Sequence, residues 1–215
     1  MRNYLNKLLI LPFLLFAAAN SLAQECTVSK TEIALSTPQS LSGVFARVGV
    51  NRWCQSTITV SMEGAINRHT VIALETLYNR YISANVGRFV IGTYSPGGDV
   101  QSAAQISRIA SRVETLIPDG KICASACATI FASGKERHIG PNSLIGIHSA
   151  YFPDTGESSL IDNLEVAFLM QQNGVDYPRI IEMMNTTPGN DMIWINAEQA
   201  LSLGLADSIH AAGGT

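Results

Sequence analysis

The feature that most constrains this chain is a change of hydrophobic period that recurs around tight turns. Residues 88–94, RFVIGTY, form an apolar, β-rich run suited to a strand covered on both faces, and Ser95, Pro96, Gly97, Gly98 and Asp99 end it abruptly. From Val100 to Val113 the pattern VQSAAQISRIASRV becomes helical, with Ala103, Ile106, Ile109, Ala110 and Val113 on one side. The same alternation stands upstream. TITVSM at 57–62 reads as a strand closed by Glu63 and Gly64, and RHTVIALETLYNRYISA places Val71, Leu74, Leu77, Tyr78 and Tyr81 at helical spacing. Downstream, a short extended piece at 115–117 meets a Pro, Asp, Gly turn, and KICASACATIFASG becomes helical near Ser125. SLIGIH at 143–148 reads as a further strand, and 160–172 and 177–185 as helices. Strands that alternate with helices need crossover connections, so the expected class is α/β with a largely parallel sheet of repeated β-α units.

The first 23 residues stand apart. Arg2 and Lys7 precede an apolar run from Leu8 to Ala19, and Ser21, Leu22 and Ala23 offer the small residues a signal peptidase reads. The run is short and interrupted by Pro12, so cleavage before Gln24 and export to the periplasm are expected, with an uncleaved membrane anchor as the alternative. Gln24 and Glu25 before Cys26 do not fit a lipidation signal. Residues 24–56 read as an irregular, cysteine-containing arm and 57–215 as a single domain, a length that suits one substantial core. Loss of Arg2 and Lys7 leaves 12 basic against 17 acidic residues, and no basic patch points to nucleic acid. All four cysteines, Cys26, Cys54, Cys123 and Cys127, lie beyond the predicted cleavage point, where export permits pairing. The preferred bridge joins Cys26 to Cys54, although four cysteines allow three connectivities.

Candidate chemistry centres on Ser125. A serine becomes nucleophilic when a base takes its proton, a third group orients the base, and backbone donors await the oxyanion. Ser125 lies between Cys123, Ala124 and Ala126, Cys127 at a predicted helix start, where free N–H groups face negative charge. The same position suits a plain helix cap. His148 ends an apolar strand, at the edge where α/β folds place their sites, or it is a buried, hydrogen-bonded core histidine. Of the other three, His69 begins a helix, His138 lies in a charged KERH turn and His210 is near the C-terminus. Gly97 and Gly98 either bring backbone N–H groups close to a bound carbonyl or simply make a tight turn.

The order SPGGD at 95–99, helix, CASAC at 123–127 and GKERHIGPNSLIGIH at 134–148 resembles the proteolytic subunit of the Clp protease, in the superfamily that includes crotonase. The resemblance spans roughly Thr57 to Asp207. It implies a ClpP/crotonase-like fold, with Ser125 as nucleophile, His148 as general base, Gly98 and Ala126 as oxyanion donors, and Gly97 in the substrate-facing turn. For the orienting group it points to Asp191, ahead of AEQALSLGLAD at 197–207, with Asn190 as the alternative and Asp207 a poorer match.

Two departures from that family matter. Cys123 and Cys127 replace small residues around the nucleophile, and one helical turn brings such positions close to disulfide range. They read either as a local bridge that controls access to Ser125 or as buried thiols packed as small hydrophobes, and a cysteine nucleophile paired with His148 is a third reading. An exported relative also has no ATP for a partner unfoldase. The resemblance therefore implies an ATP-independent serine endopeptidase acting on peptides, unfolded segments or membrane-protein loops. No cofactor and no metal are expected, and self-association into a homo-oligomer is. The rival readings are a catalytically inactive assembly or binding module of the same fold and, last, an acyl hydrolase.

Overall fold

The computed structural model describes residues 32–36, 43–50, 56–83, 87–152 and 154–210, so the predicted signal segment, Cys26 and Cys54 lie outside the described residues. The chain opens with β1 (Glu32–Ser36), β2 (Gly43–Val50) and β3 (Ser56–Glu63), followed by α1 (Arg68–Ser83) and β4 (Arg88–Tyr94). Next come α2 (Val100–Ala110), β5 (Glu114–Ile117), β6 (Ile122–Ala124), α3 (Ala126–Ala132), β7 (Glu136–Ile139) and β8 (Leu144–Ile147). The chain continues through α4 (Leu160–Gln171), α5 (Tyr177–Thr186), β9 (Ile193–Asn196), α6 (Ala197–Ser202) and β10 (Ser208–Ile209).

The main sheet has the order β1-β2-β3-β4-β5-β7-β10, parallel from β3 onward. A smaller sheet, β6-β8-β9, pairs β6 with β8 in parallel and β8 with β9 antiparallel. Phe89 to Thr93 of β4 are all buried, as a central strand covered on both faces requires. In α2, Asp99 caps the first turn by accepting from the Ser102 N–H at 2.7 Å. That helix stops at Ala110, three residues short of the predicted end, and Val113 N–H closes the following turn on the Ala110 carbonyl. α3 is buried on every side, and Phe131 and Ile130 join Ile58, Ile91, Ile106, Ile117 and Ile145 in the core. Among the described residues, no helix is long and apolar enough to cross a membrane.

Two expectations need correction. The arm 24–56 is not irregular where it is described: β1 and β2 pair antiparallel, and β2 runs the full length of β3 from Gly43↔Glu63 to Val50↔Ser56. Glycines and Arg47 in GVFARVGV blur the strand period, and pairing with β3 supplies what local preference lacks. The KERH stretch is likewise strand, with His138 on β7 between β5 and β10. Its inward position 137 carries a buried arginine, which hides the expected apolar alternation.

Candidate active site

Ser125 stands where β6 ends and α3 begins. It is the only described non-glycine residue with a positive φ, at φ 55° and ψ −128°. Those angles belong to the first central position of a type II′ turn, usually glycine's. A side chain held there costs about 1–3 kcal/mol and persists only where the surroundings enforce it. They do so from two sides. The Ser125 N–H donates to the Gly146 carbonyl of β8 at 2.8 Å, and the Ala124 N–H donates to the Ser95 carbonyl at 2.9 Å. Ser125 occupies the cap position of α3, yet its hydroxyl makes no cap hydrogen bond. The plain cap reading therefore does not hold, and the hydroxyl of this half-buried residue is left for other work.

The Ser95–Asp99 turn is built against this serine. Gly97 has φ 104°, and a Cβ there would stand 2.6 Å from the Ser125 Cβ and 2.8 Å from the Ala124 carbonyl oxygen. Gly98 has φ 148°, and a Cβ there would strike the Ile66 backbone. Ser95, itself buried, accepts the Gly97 N–H on its Oγ at 3.0 Å. The bridge to Ile66 uses the Gly97 carbonyl and the Asp99 N–H, which leaves the Gly98 N–H outside both arrangements. Ala126 is the first residue of α3, so its N–H has no acceptor within the helix. Gly98, next in sequence to the glycine that abuts Ser125, and Ala126, which follows Ser125, thus each retain a backbone donor.

His148 follows β8 by one residue, 8% exposed. Ser125 and His148 line one cavity of about 20 Å³ with Val100, Ala126, Thr129, Ile147, Ala150, Val166, Met170 and Met184. That volume holds one water molecule. No hydrogen bond joins Ser125 to His148. Two buried polar atoms on cavity residues, Thr129 Oγ1 and His148 Nδ1, have no partner among the described residues. Burial pushes the imidazole below its ordinary pKa, and the Ser149 backbone opposes that shift from close by without reaching hydrogen-bond geometry at Nδ1. The segment after His148 is held from α4: Asn163 Oδ1 accepts the Ala150 N–H at 2.7 Å, and Asn163 Nδ2 donates to Ser149 Oγ at 2.9 Å. Asn163 escaped the sequence reading, although helical spacing aligns it with the buried Val166, Ala167 and Met170.

The predicted orienting groups are placed elsewhere. Asp191 is exposed, and its Oδ1 accepts the Met192 N–H at 2.8 Å; Asn190 is exposed as well. Neither is hydrogen-bonded to His148. The Tyr151 ring lies 5.8 Å from the imidazole, centroid to centroid, and also packs against Gly189 of the turn that carries both residues. Asp207 has a structural task. Its oxygens accept from Arg137 Nε at 3.1 Å, Nη2 at 2.6 Å and the Arg137 N–H at 2.8 Å. Cys123 and Cys127 are bridged, with Cα atoms 5.2 Å apart and both residues fully buried, so neither is a thiol available as a nucleophile.

Two other places were candidates. A cavity of about 290 Å³ between α1 and α2, lined by Glu75, Gln101, Ala104, Gln105, Arg108, Ile109 and Arg112, is larger but holds no nucleophile and shares no residue with the Ser125 site. Glu114, Glu136 and His138 converge within 4.8 Å, a possible ligand set for a cation. Arg88 already binds both oxygens of Glu114. Burial raises the Glu114 pKa, but Arg88 and His138 outweigh it and leave the carboxyl below its usual range, as a satisfied ion pair demands.

No family model and no curated protein matches this sequence. Solved structures match it by fold. A mutant form of the 1510-N membrane-bound stomatin-specific protease aligns with a TM-score of 0.58 and 16% identity, covering 70% of this chain and 77% of that one. A second mutant form, in complex with a substrate peptide, gives 0.58 and 17%, covering 70% and 73%. The ClpP protease catalytic domain from Plasmodium falciparum gives 0.58 and 22%, covering 72% and 86%. At these identities the likeness concerns architecture. The chain has the α/β fold of the ClpP catalytic domain, with its mostly parallel sheet.

Proposed function

We propose that this protein is a serine peptidase that forms an acyl-enzyme at Ser125. The observation that carries the reading is a serine held at positive φ at the head of α3, its hydroxyl unused as a cap, on the same cavity as a buried histidine. In this reading Ser125 Oγ attacks the scissile carbonyl while His148 takes its proton. The Gly98 and Ala126 N–H groups receive the oxyanion, and His148 returns the proton to the leaving amine before activating water. Fold neighbours that are proteases, one holding a substrate peptide, support a peptide substrate. A fluorophosphonate probe should label the wild-type protein and spare Ser125→Ala. Equal labelling of both sinks the assignment.

Export, independence from an ATP-driven unfoldase, and self-association belong to the same proposal. The leader pattern supports export, and N-terminal sequencing of protein recovered from the periplasm should begin at Gln24. Leu160, Ile161, Leu164 and Phe168 leave an exposed apolar face on α4, which supports a homo-oligomer and predicts a sedimenting mass of several chains. A monomer at micromolar concentration removes that part.

Two observations favour a second reading, an inactive binding or assembly module. Among the described residues His148 Nδ1 has no partner, and Asp191 bonds its own turn. Under that reading Ser125→Ala restores in full whatever phenotype deletion produces. Under the peptidase reading it fails to do so at normal abundance.

A further inference from the structure

The bridge between Cys123 and Cys127 encloses Ser125. Cys123 is the middle residue of β6 and Cys127 the second residue of α3, so the bridge ties the strand to the helix across the turn that holds Ser125 at positive φ. The non-covalent ties of that turn are few. Ser125 N–H donates to Gly146, Ala124 N–H donates to Ser95, the Ser125 carbonyl accepts from the Ala128 N–H in the first turn of α3, and the Ser125 side chain contributes no cap bond. A backbone in a sparsely populated region relaxes unless something over-determines it. We propose that the Cys123–Cys127 bridge is a positioning brace: it holds the Ser125 backbone in its reactive conformation, and its closure during oxidative folding assembles the nucleophile. The brace rests on the reading of Ser125 as nucleophile.

Two physical arguments separate a brace from the alternatives. A bridge between residues four apart closes a very short loop, so it restricts the unfolded chain far less than a long-range bridge and acts mainly on local geometry. Both cysteines are fully buried, and exchange needs a thiolate to reach a sulfur. In the folded protein the bridge is therefore shielded from solution thiols and is not a fast redox switch. It forms while the chain folds, by exchange with a disulfide-bearing oxidant: the two cysteine thiols give up two protons and two electrons to the bridge-forming reaction, and the oxidant's disulfide leaves as two thiols.

The test compares the wild-type protein with Cys123→Ala/Cys127→Ala. Fluorophosphonate labelling at Ser125 is followed against probe concentration, alongside thermal unfolding. The brace predicts a roughly 10- to 100-fold loss in the maximal labelling rate. The half-saturating probe concentration should stay unchanged, while the melting temperature falls by several degrees, as losing a short-loop bridge and two buried sulfurs requires. Incubating folded wild-type protein with millimolar glutathione should leave labelling intact. An unchanged maximal rate in the double variant overturns the proposal, as do free thiols at Cys123 and Cys127 when the active protein is alkylated under denaturing conditions. If the double variant fails to fold, Cys123→Ala alone carries the same comparison. If the wild-type protein takes no label, the nucleophile reading falls, and amide hydrogen exchange at Ser125 decides the brace: faster exchange without the cysteines supports it, and unchanged exchange overturns it.

Discussion

Gly97 lies directly against Ser125, so that a single added carbon at position 97 would stand 2.6 Å from the Ser125 Cβ and 3.1 Å from its Oγ. The turn after β4 and the turn after β6 are thus fitted to one another at Ser125. Alanine at 97 would also have to adopt φ 104°, a conformation L-residues avoid. We expect Gly97→Ala to lower the rate of Ser125 labelling by about 100-fold, the order of loss that follows from misplacing a reacting group by an ångström. Wild-type labelling in a folded Gly97→Ala protein would show that the turn does not position the serine.

Burial holds His148 below its ordinary pKa of 6.5, which favours the neutral imidazole. A base must be neutral to accept the serine proton, so the acid limb of the labelling rate should have its midpoint below 6.5. Stability has the same sign. As pH falls below 6.5 the unfolded chain binds a proton at this position before the folded one does, so the His148 contribution is lost between 6.5 and the lower folded value. Two-dimensional NMR titration of the imidazole checks the pKa directly. A midpoint above 6.5 would mean that a negative partner reaches the ring.

Asp191 bonds its own Met192 N–H and faces solvent. With that geometry, Asp191→Ala should change labelling by less than about tenfold, against the roughly 10⁴-fold loss typical when a true orienting carboxylate is disabled. A loss of the larger size would show that the 188–191 turn moves onto His148 Nδ1 during the reaction. Asn190→Ala, made in parallel, distinguishes the neighbouring amide.

Arg137 is buried with 7% of its side chain exposed, and Asp207, 42% exposed, is its counter-charge. Removing the carboxylate strands a buried guanidinium. Asp207→Ala should therefore cost about 3 kcal/mol, the lower end of the range for broken buried pairs, because water already reaches the aspartate. Thermal unfolding should fall by roughly 6–12 °C. The labelling rate per folded molecule should stay within about twofold, because the pair shares no contact with Ser125. A large loss of labelling without loss of stability would return Asp207 to the catalytic machinery.

The local elements are written in the chain itself. The alternation of periods at 57–62, 88–94 and 100–110 fixed strands and crossover helices, because burial on one face writes a period of 2 or 3.6 into the residues themselves. Ser95 to Asp99, Ser125 and His148 were legible for a related reason: turn residues and strand ends mark where an α/β fold exposes its chemistry. The remainder depends on contacts between elements distant along the chain. β1 and β2 exist through pairing with β3, Arg137 is buried because Asp207 arrives 70 residues later, and Asn163 supports the His148 segment from another element. The angles of Ser125 are likewise held from afar by Gly146 and Ser95, whereas the cysteine bridge joins the serine's own neighbours and was one of the readings the CASAC segment offered. That Asp191 bonds Met192 rather than His148 has the same origin. Spacing from Ala197 sets its position along the chain, while the fold of the 188–191 turn sets which way its carboxylate bonds.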